Sequence, residues 1–144
     1  MKQQGGFTLI ELITVIVILG ILSAFALPRF AGLEAQAREA KMSGALAAVR
    51  SGAALAHAAW LAQSQPAAVT MEGQSIDIVN GYPDAETIHL AAGVANDADF
   101  DFTSTATTQQ IEDEDIATCN FVYTEAAANA QPAITNNIST ANCD

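Results

Sequence analysis

Residues 7–27, FTLIELITVIVILGILSAFAL, form a 21-residue run in which only Thr8, Glu11, Thr14 and Ser23 are polar. As a helix it rises about 31 Å, which matches the ~30 Å hydrocarbon thickness of a bilayer. The Ser and Thr hydroxyls can return to carbonyls of the preceding turn, so the run reads as a membrane span. Glu11 is the exception that needs a cause, because a carboxylate at mid-membrane depth costs about 2.5 to 3.5 kcal/mol even on lenient insertion scales.

Two ways of processing the chain treat that carboxylate differently. In an ordinary secretory signal, Lys2 opens a basic region, the apolar stretch starts at Leu12, and Ala24 and Ala26 precede a cut that leaves Leu27 first. Glu11 then has no role. A cut after Gly5 and Gly6, two small residues that leave an extended backbone for a protease, instead keeps the apolar helix and frees an α-amino group on Phe7. That amine stands about one helical turn from Glu11, so the pair helps within a chain. Between neighbouring chains it sets axial register, since an unpaired Glu11 in an apolar bundle is costly.

The segment KQQGGFTLIELITVIVILGIL resembles the type IV pilin signature: a short basic leader ending in Gly6, then Phe7, then Glu11 fifth after the cut, with Pro28 at the twenty-second position. Further on, ILSAFALPRFAGLEAQAREAK and GYPDA look like pilins of the mannose-sensitive haemagglutinin type. The resemblance implies a prepilin peptidase that cuts between Gly6 and Phe7 and methylates the new amine. It also implies insertion in the bacterial inner membrane as a single-pass precursor, and assembly by machinery with a separate ATPase. The product is a helical homopolymer on the cell surface, with Glu11 in the register role. Two other readings stay open: a pseudopilin-like subunit of a type II secretion system, and a secreted acidic binding module with a cleaved signal.

Beyond the span the chain divides into segments 29–62 and 63–144, after a leader at 1–6 and a filament-core helix at 7–28. Pro28 removes a backbone donor, and with Gly20 and Gly32 it is expected to kink or loosen the helix. The helical pattern then resumes: Met42, Leu46, Val49, Ala53, Ala56 and Trp60 fall on one face. An end near Ala62 gives a rod of about 55 residues and roughly 80 Å. From Thr70 the period changes to two, with strands expected at 75–79, 97–102, 119–123 and 133–139, a turn at 80–84, and a short helix from Ala85 to Gly93 capped by Asp84. The fold class is therefore α+β, one long helix packed on an antiparallel sheet, because a strand cluster needs the stripe ending at Trp60 to bury its apolar face.

Charge is strongly segregated. Of 16 Asp and Glu, all but Glu11, Glu34 and Glu39 lie beyond Arg50, and no Lys or Arg follows Arg50. Such a head repels phosphate backbones, so no nucleic-acid partner is expected. Arg29, Arg38, Lys41 and Arg50 either meet acidic heads of other copies in a staggered stack or pair locally along the helix, as Glu34 and Arg38 do at spacing i, i+4. More basic residues follow the span than precede it, against the positive-inside tendency. A six-residue leader and a disulfide in the large segment argue for export of that segment all the same.

Cys119 and Cys143 read most simply as one disulfide in an oxidising compartment, with free thiols or cysteine chemistry as the alternatives. Asp97, Asp99 and Asp101 mimic the opening of a calcium loop, but Phe102 and Thr108 stand where Gly and Glu are needed. An irregular calcium site with Glu112, Asp113, Glu114 and Asp115 is one reading, and a solvated acidic face the other. His57 and His89 are solitary and read as packing or surface residues. No set of acid, base and nucleophile can be assembled, so no catalytic residues, cofactor or metal ligands are assigned.

Overall fold

The computed structural model describes residues 7–95 and 99–144, and of residues 27–31 the backbone only. The leader, with Gly6, and Asp97 lie outside the described residues. The chain divides into two compact units, Met1–Glu34 and Ala35–Asp144. One helix, α1 (Leu9–Ala62, 54 residues), supplies residues to both and ends where expected. It runs on past Pro28, which has no N–H to donate one turn back.

In the first unit every large apolar side chain from Phe7 to Phe25 is at least 51% exposed, and Phe7 reaches 93%. Hydrophobic residues point in all directions, the pattern of a helix whose solvent is lipid or other helices. Thr14 and Ser23 donate their hydroxyls to the carbonyls of Ile10 and Leu19, each at 2.7 Å, so neither hydroxyl needs water. Two stretches of α1, Leu9–Ala26 and Gly32–Ala62, are long and apolar enough to cross a membrane. The second is one-third buried, as the core helix of a folded head is.

In the second unit the expected stripe is the inner face of α1: Met42, Leu46, Val49, Ala53 and Ala56 are buried, joined by Ala35 and Ala45. Among the described residues, six antiparallel strands and one short pair segment follow it. β1 (Ala68–Met71), β2 (Gln74–Val79) and β3 (Tyr82–Pro83) form one sheet in that order. After α2 (Ile88–Ala92) come β4 (Phe100–Ser104), β5 (Thr108–Asp113), β6 (Asn120–Thr124) and β7 (Ala133–Asn136), a four-stranded meander. The antiparallel pairing matches expectation, but the strands divide into two sheets, each with its own part of the stripe. Met42 to Ala53 pack with Ile88, Ile111, Phe121, Tyr123 and both cysteines. Ala56 packs with Val69 and Ile76 under Trp60 and Met71.

The division follows from local chemistry. Asn80 (φ 52°) and Gly81 (φ 89°) form a two-residue turn between Val79 and Tyr82, so the expected turn at 80–84 is tighter and its last residues pair as β3. Glu72 and Gly73 repeat this geometry between β1 and β2. Gly81 also lies beneath Trp60, whose ring is 2.9 Å from where a Cβ would stand. The two sheets are tied where β6 exits: Tyr123 Oη donates to the Pro83 carbonyl at 2.7 Å, and Asn80 Nδ2 to the Ala126 carbonyl at 2.7 Å.

Three expectations are corrected. The helix expected from Ala85 starts only at Ile88, because the Asp84 carboxylate accepts from Thr87 N at 2.7 Å and Thr87 Oγ1 at 2.6 Å, closing a turn instead of capping. Gly93 does end it, with φ 66°. The strand expected to Ser139 stops at Asn136, whose side chain takes the Ile138 N–H at 2.9 Å and turns the chain back. β5 was not expected as a strand at all: its inward residues are Gln109, Ile111 and Asp113, so the alternation is real but two of three inward positions are polar.

Candidate functional site

The start of α1 is built from Thr8 and Glu11. Thr8 N and Thr8 Oγ1 donate to Glu11 Oε2 at 2.9 and 2.8 Å, and Glu11 N donates back to Thr8 Oγ1 at 3.3 Å. This is a reciprocal capping box, and its sequence signal is the T-x-x-E spacing of residues 8–11. Glu11 therefore has partners before any cut is made, and the first helical bond, Leu12 N to Thr8 O, closes behind it at 3.3 Å. Phe7 stands just outside the box. The box satisfies hydrogen bonds but supplies no positive charge.

Two cations of the second unit reach acids of the sheet in their own head. Lys41 Nζ lies 2.6 Å from Asp113 Oδ2 and donates to the Asp99 carbonyl at 2.8 Å. Its ammonium also sits 5.2 Å from the Phe100 ring centroid. Arg38, one turn earlier, reaches Asp113 Oδ1 and Asp115 Oδ2, both at 3.7 Å. Asp113 is 1% exposed, and two cations of the same helix face hold it there. Arg38 and Lys41 are thus turned onto acids of their own head, contacts that neither the staggered stack nor pairing along the helix specified. The Arg29 side chain lies outside the described residues. Arg50 is exposed and has no acidic partner among the described residues.

The acids proposed for calcium are dispersed by the same contacts. Asp101 faces Glu112 across β4 and β5, while Asp99, Asp113 and Asp115 turn to Lys41 and Arg38. Among the described residues no three Asp, Glu, His or Cys side chains converge on one point. The two histidines pack, as expected. His57 lies flat on Tyr82, 4.3 Å between centroids, and its Nδ1 donates to the Gly81 carbonyl at 2.7 Å. His89 tilts against Phe102 and meets Gln109 Nε2 at 3.2 Å; burial holds its pKa below the ordinary 6.5, against an opposing pull from the Glu86 backbone and the Asp84 charge.

Cys119 and Cys143 form the expected disulfide, 24 residues apart, within the larger core. The turn at Ser139, whose carbonyl accepts from both Asn142 N and Cys143 N at 3.0 Å, returns the chain to β6.

Residues 1–27 match the prokaryotic N-terminal methylation motif. The chain is 59% identical over 54 residues to the major component of a type IV narrow pilus of Thermus thermophilus, a match covering 38% of this chain and 47% of that relative's length. It is 30% identical over 146 residues to the type IV major alpha-pilin of Moraxella bovis, covering 88% of this chain and 91% of that one. No solved structure matches the chain.

Proposed function

The chain belongs to the type IV pilin family, and from that premise we propose that it is a structural subunit of a bacterial pilus, used for attachment to surfaces. One observation carries this reading: an all-round apolar helix, its large side chains exposed from Phe7 to Phe25 and its start capped by Thr8 and Glu11, precedes an acidic, disulfide-bonded α+β head. Such a helix is satisfied by lipid before assembly and by its own kind afterwards.

The proposed sequence of events starts with the inner-membrane precursor, cut between Gly6 and Phe7 and methylated on Phe7 by a prepilin peptidase. The new amine then supplies the charge that the capping box does not, and pairing it with Glu11 of a neighbouring chain fixes register in the growing homopolymer. Pro28 supplies a place where α1 can adjust as helices pack. Assembly energy comes from an ATPase elsewhere, and the finished fibre is extracellular. Within the family, the segments ILSAFALPRFAGLEAQAREAK and GYPDA support a mannose-sensitive haemagglutinin type of pilin.

Intact-mass analysis of subunits sheared from cells tests the reading. The expected mass begins at Phe7 with one added methyl; a chain beginning at Leu27 overturns it. Glu11→Gln sharpens the test, since glutamine also serves in a capping box and leaves the helix start intact. Fibre loss in that variant reports the missing charge, and normal fibres count against the register role.

A further inference from the structure

A cleft of about 460 Å³ opens on the head between α1 and the approach to β7, lined by Arg50, Ala54, His57, Tyr82, Gln131 and Ile134, among others. Its floor is small, because the α1 residues that line it between Arg50 and His57 are Ala53 and Ala54. Its wall is rigid: the stacked rings of His57 and Tyr82 are 6° from parallel, and the hydrogen bond to Gly81 fixes the imidazole. At one end stands Arg50, the last cation in the chain.

That guanidinium is out of step with its surroundings. Thirteen acids follow it in sequence, and the two cations before it are drawn onto Asp113, yet Arg50 finds no carboxylate of its own chain among the described residues. A planar, permanently charged fork suited to bidentate carboxylate binding is thus held open beside a preformed slot. We infer that this cleft receives an acidic side chain of a second copy of this chain, with Arg50 as its ion-pair partner and the His57–Tyr82 stack as the wall that orients it. The inference rests on the polymeric reading above, which brings copies together at high local concentration. Charge complementarity selects the occupant: each head presents many carboxylates, and contacts between heads that bring no cation to meet them are repulsive.

Photo-cross-linking in assembled fibres tests it. With p-benzoylphenylalanine in place of Ala54, an exposed cleft residue, the expected product is a dimer whose cross-link maps to an Asp- or Glu-bearing segment of another head. Arg50→Gln lowers the dimer yield about fivefold, the scale of one surface ion pair, whereas Arg50→Lys, which keeps the charge and loses the fork, falls between the two. Cross-links confined to one chain, to the apolar N-terminal segment or to another protein overturn the inference, as does a yield unchanged in Arg50→Gln. Absence of fibres from the unsubstituted chain instead defeats the pilin reading itself.

Discussion

Lys41 Nζ stands 2.6 Å from Asp113 Oδ2, an ion pair between the helix and a strand whose acid is 1% exposed. Removing one partner of such a pair leaves the other charge without compensation. Lys41→Met is expected to lower stability by about 2 to 3 kcal/mol, at or below the usual range for buried pairs because Arg38 remains nearby. In a double-mutant cycle with Asp113→Asn, the coupling energy from chemical denaturation should exceed about 1 kcal/mol. Simple additivity would show that the contact contributes little.

Gly52 and Gly44 lie two turns apart on α1 and should respond in opposite directions. A Cβ on Gly52 would stand 2.5 Å from the Ala91 carbonyl oxygen, backbone that cannot swing aside, while Gly44 faces open space. Gly52→Ala is expected to destabilise by about 1 to 3 kcal/mol through overpacking of α1 on α2. Gly44→Ala should stabilise by about 0.5 to 1 kcal/mol, the helix-propensity gain. Equal melting temperatures for the two variants would remove α2 from its place against α1.

The Cys119–Cys143 bond closes the segment that contains β6, β7 and the Ser139 turn. Its loss should cost roughly 3 kcal/mol by the loop-entropy argument. Amide exchange after reduction is expected to quicken first in residues 133–143, where few side chains are buried. Uniform protection across the head would argue that the bond has no structural role.

His89 has its folded pKa lowered from 6.5 by burial, so the unfolded chain binds the proton more readily. Its contribution is present above pH 6.5 and is lost as pH falls through that value toward the folded pKa. Thermal melts between pH 7.5 and pH 5.5 should therefore show a decline that His89→Gln reduces. An identical slope in the variant would place the cause on other groups.

Much of this architecture is legible in the residues because its signals are periodic. The apolar run, the stripe from Met42 to Ala56 and the alternation of Phe100 and Phe102 each match a single geometry, and the structure places them accordingly. What the sequence conceals is polar chemistry that points inward. β5 reads as an acidic loop because Gln109 and Asp113 occupy core-facing positions, and only the cations of a helix some seventy residues earlier explain the aspartate. Asp84 likewise looks like a helix cap, but its carboxylate is committed to Thr87 one turn too soon. The Thr8–Glu11 box is the opposite case, polar chemistry written plainly in four consecutive residues.

The inward turn of Arg38 and Lys41 leaves the outside of each head, Arg50 aside, to its carboxylates. A suspension of such particles behaves as a colloid stabilised by negative surface potential, and with an isoelectric point near 4.2 it holds apart at neutral pH. Acidification toward that point, or added salt, collapses the repulsion and lets neighbouring threads gather into bundles.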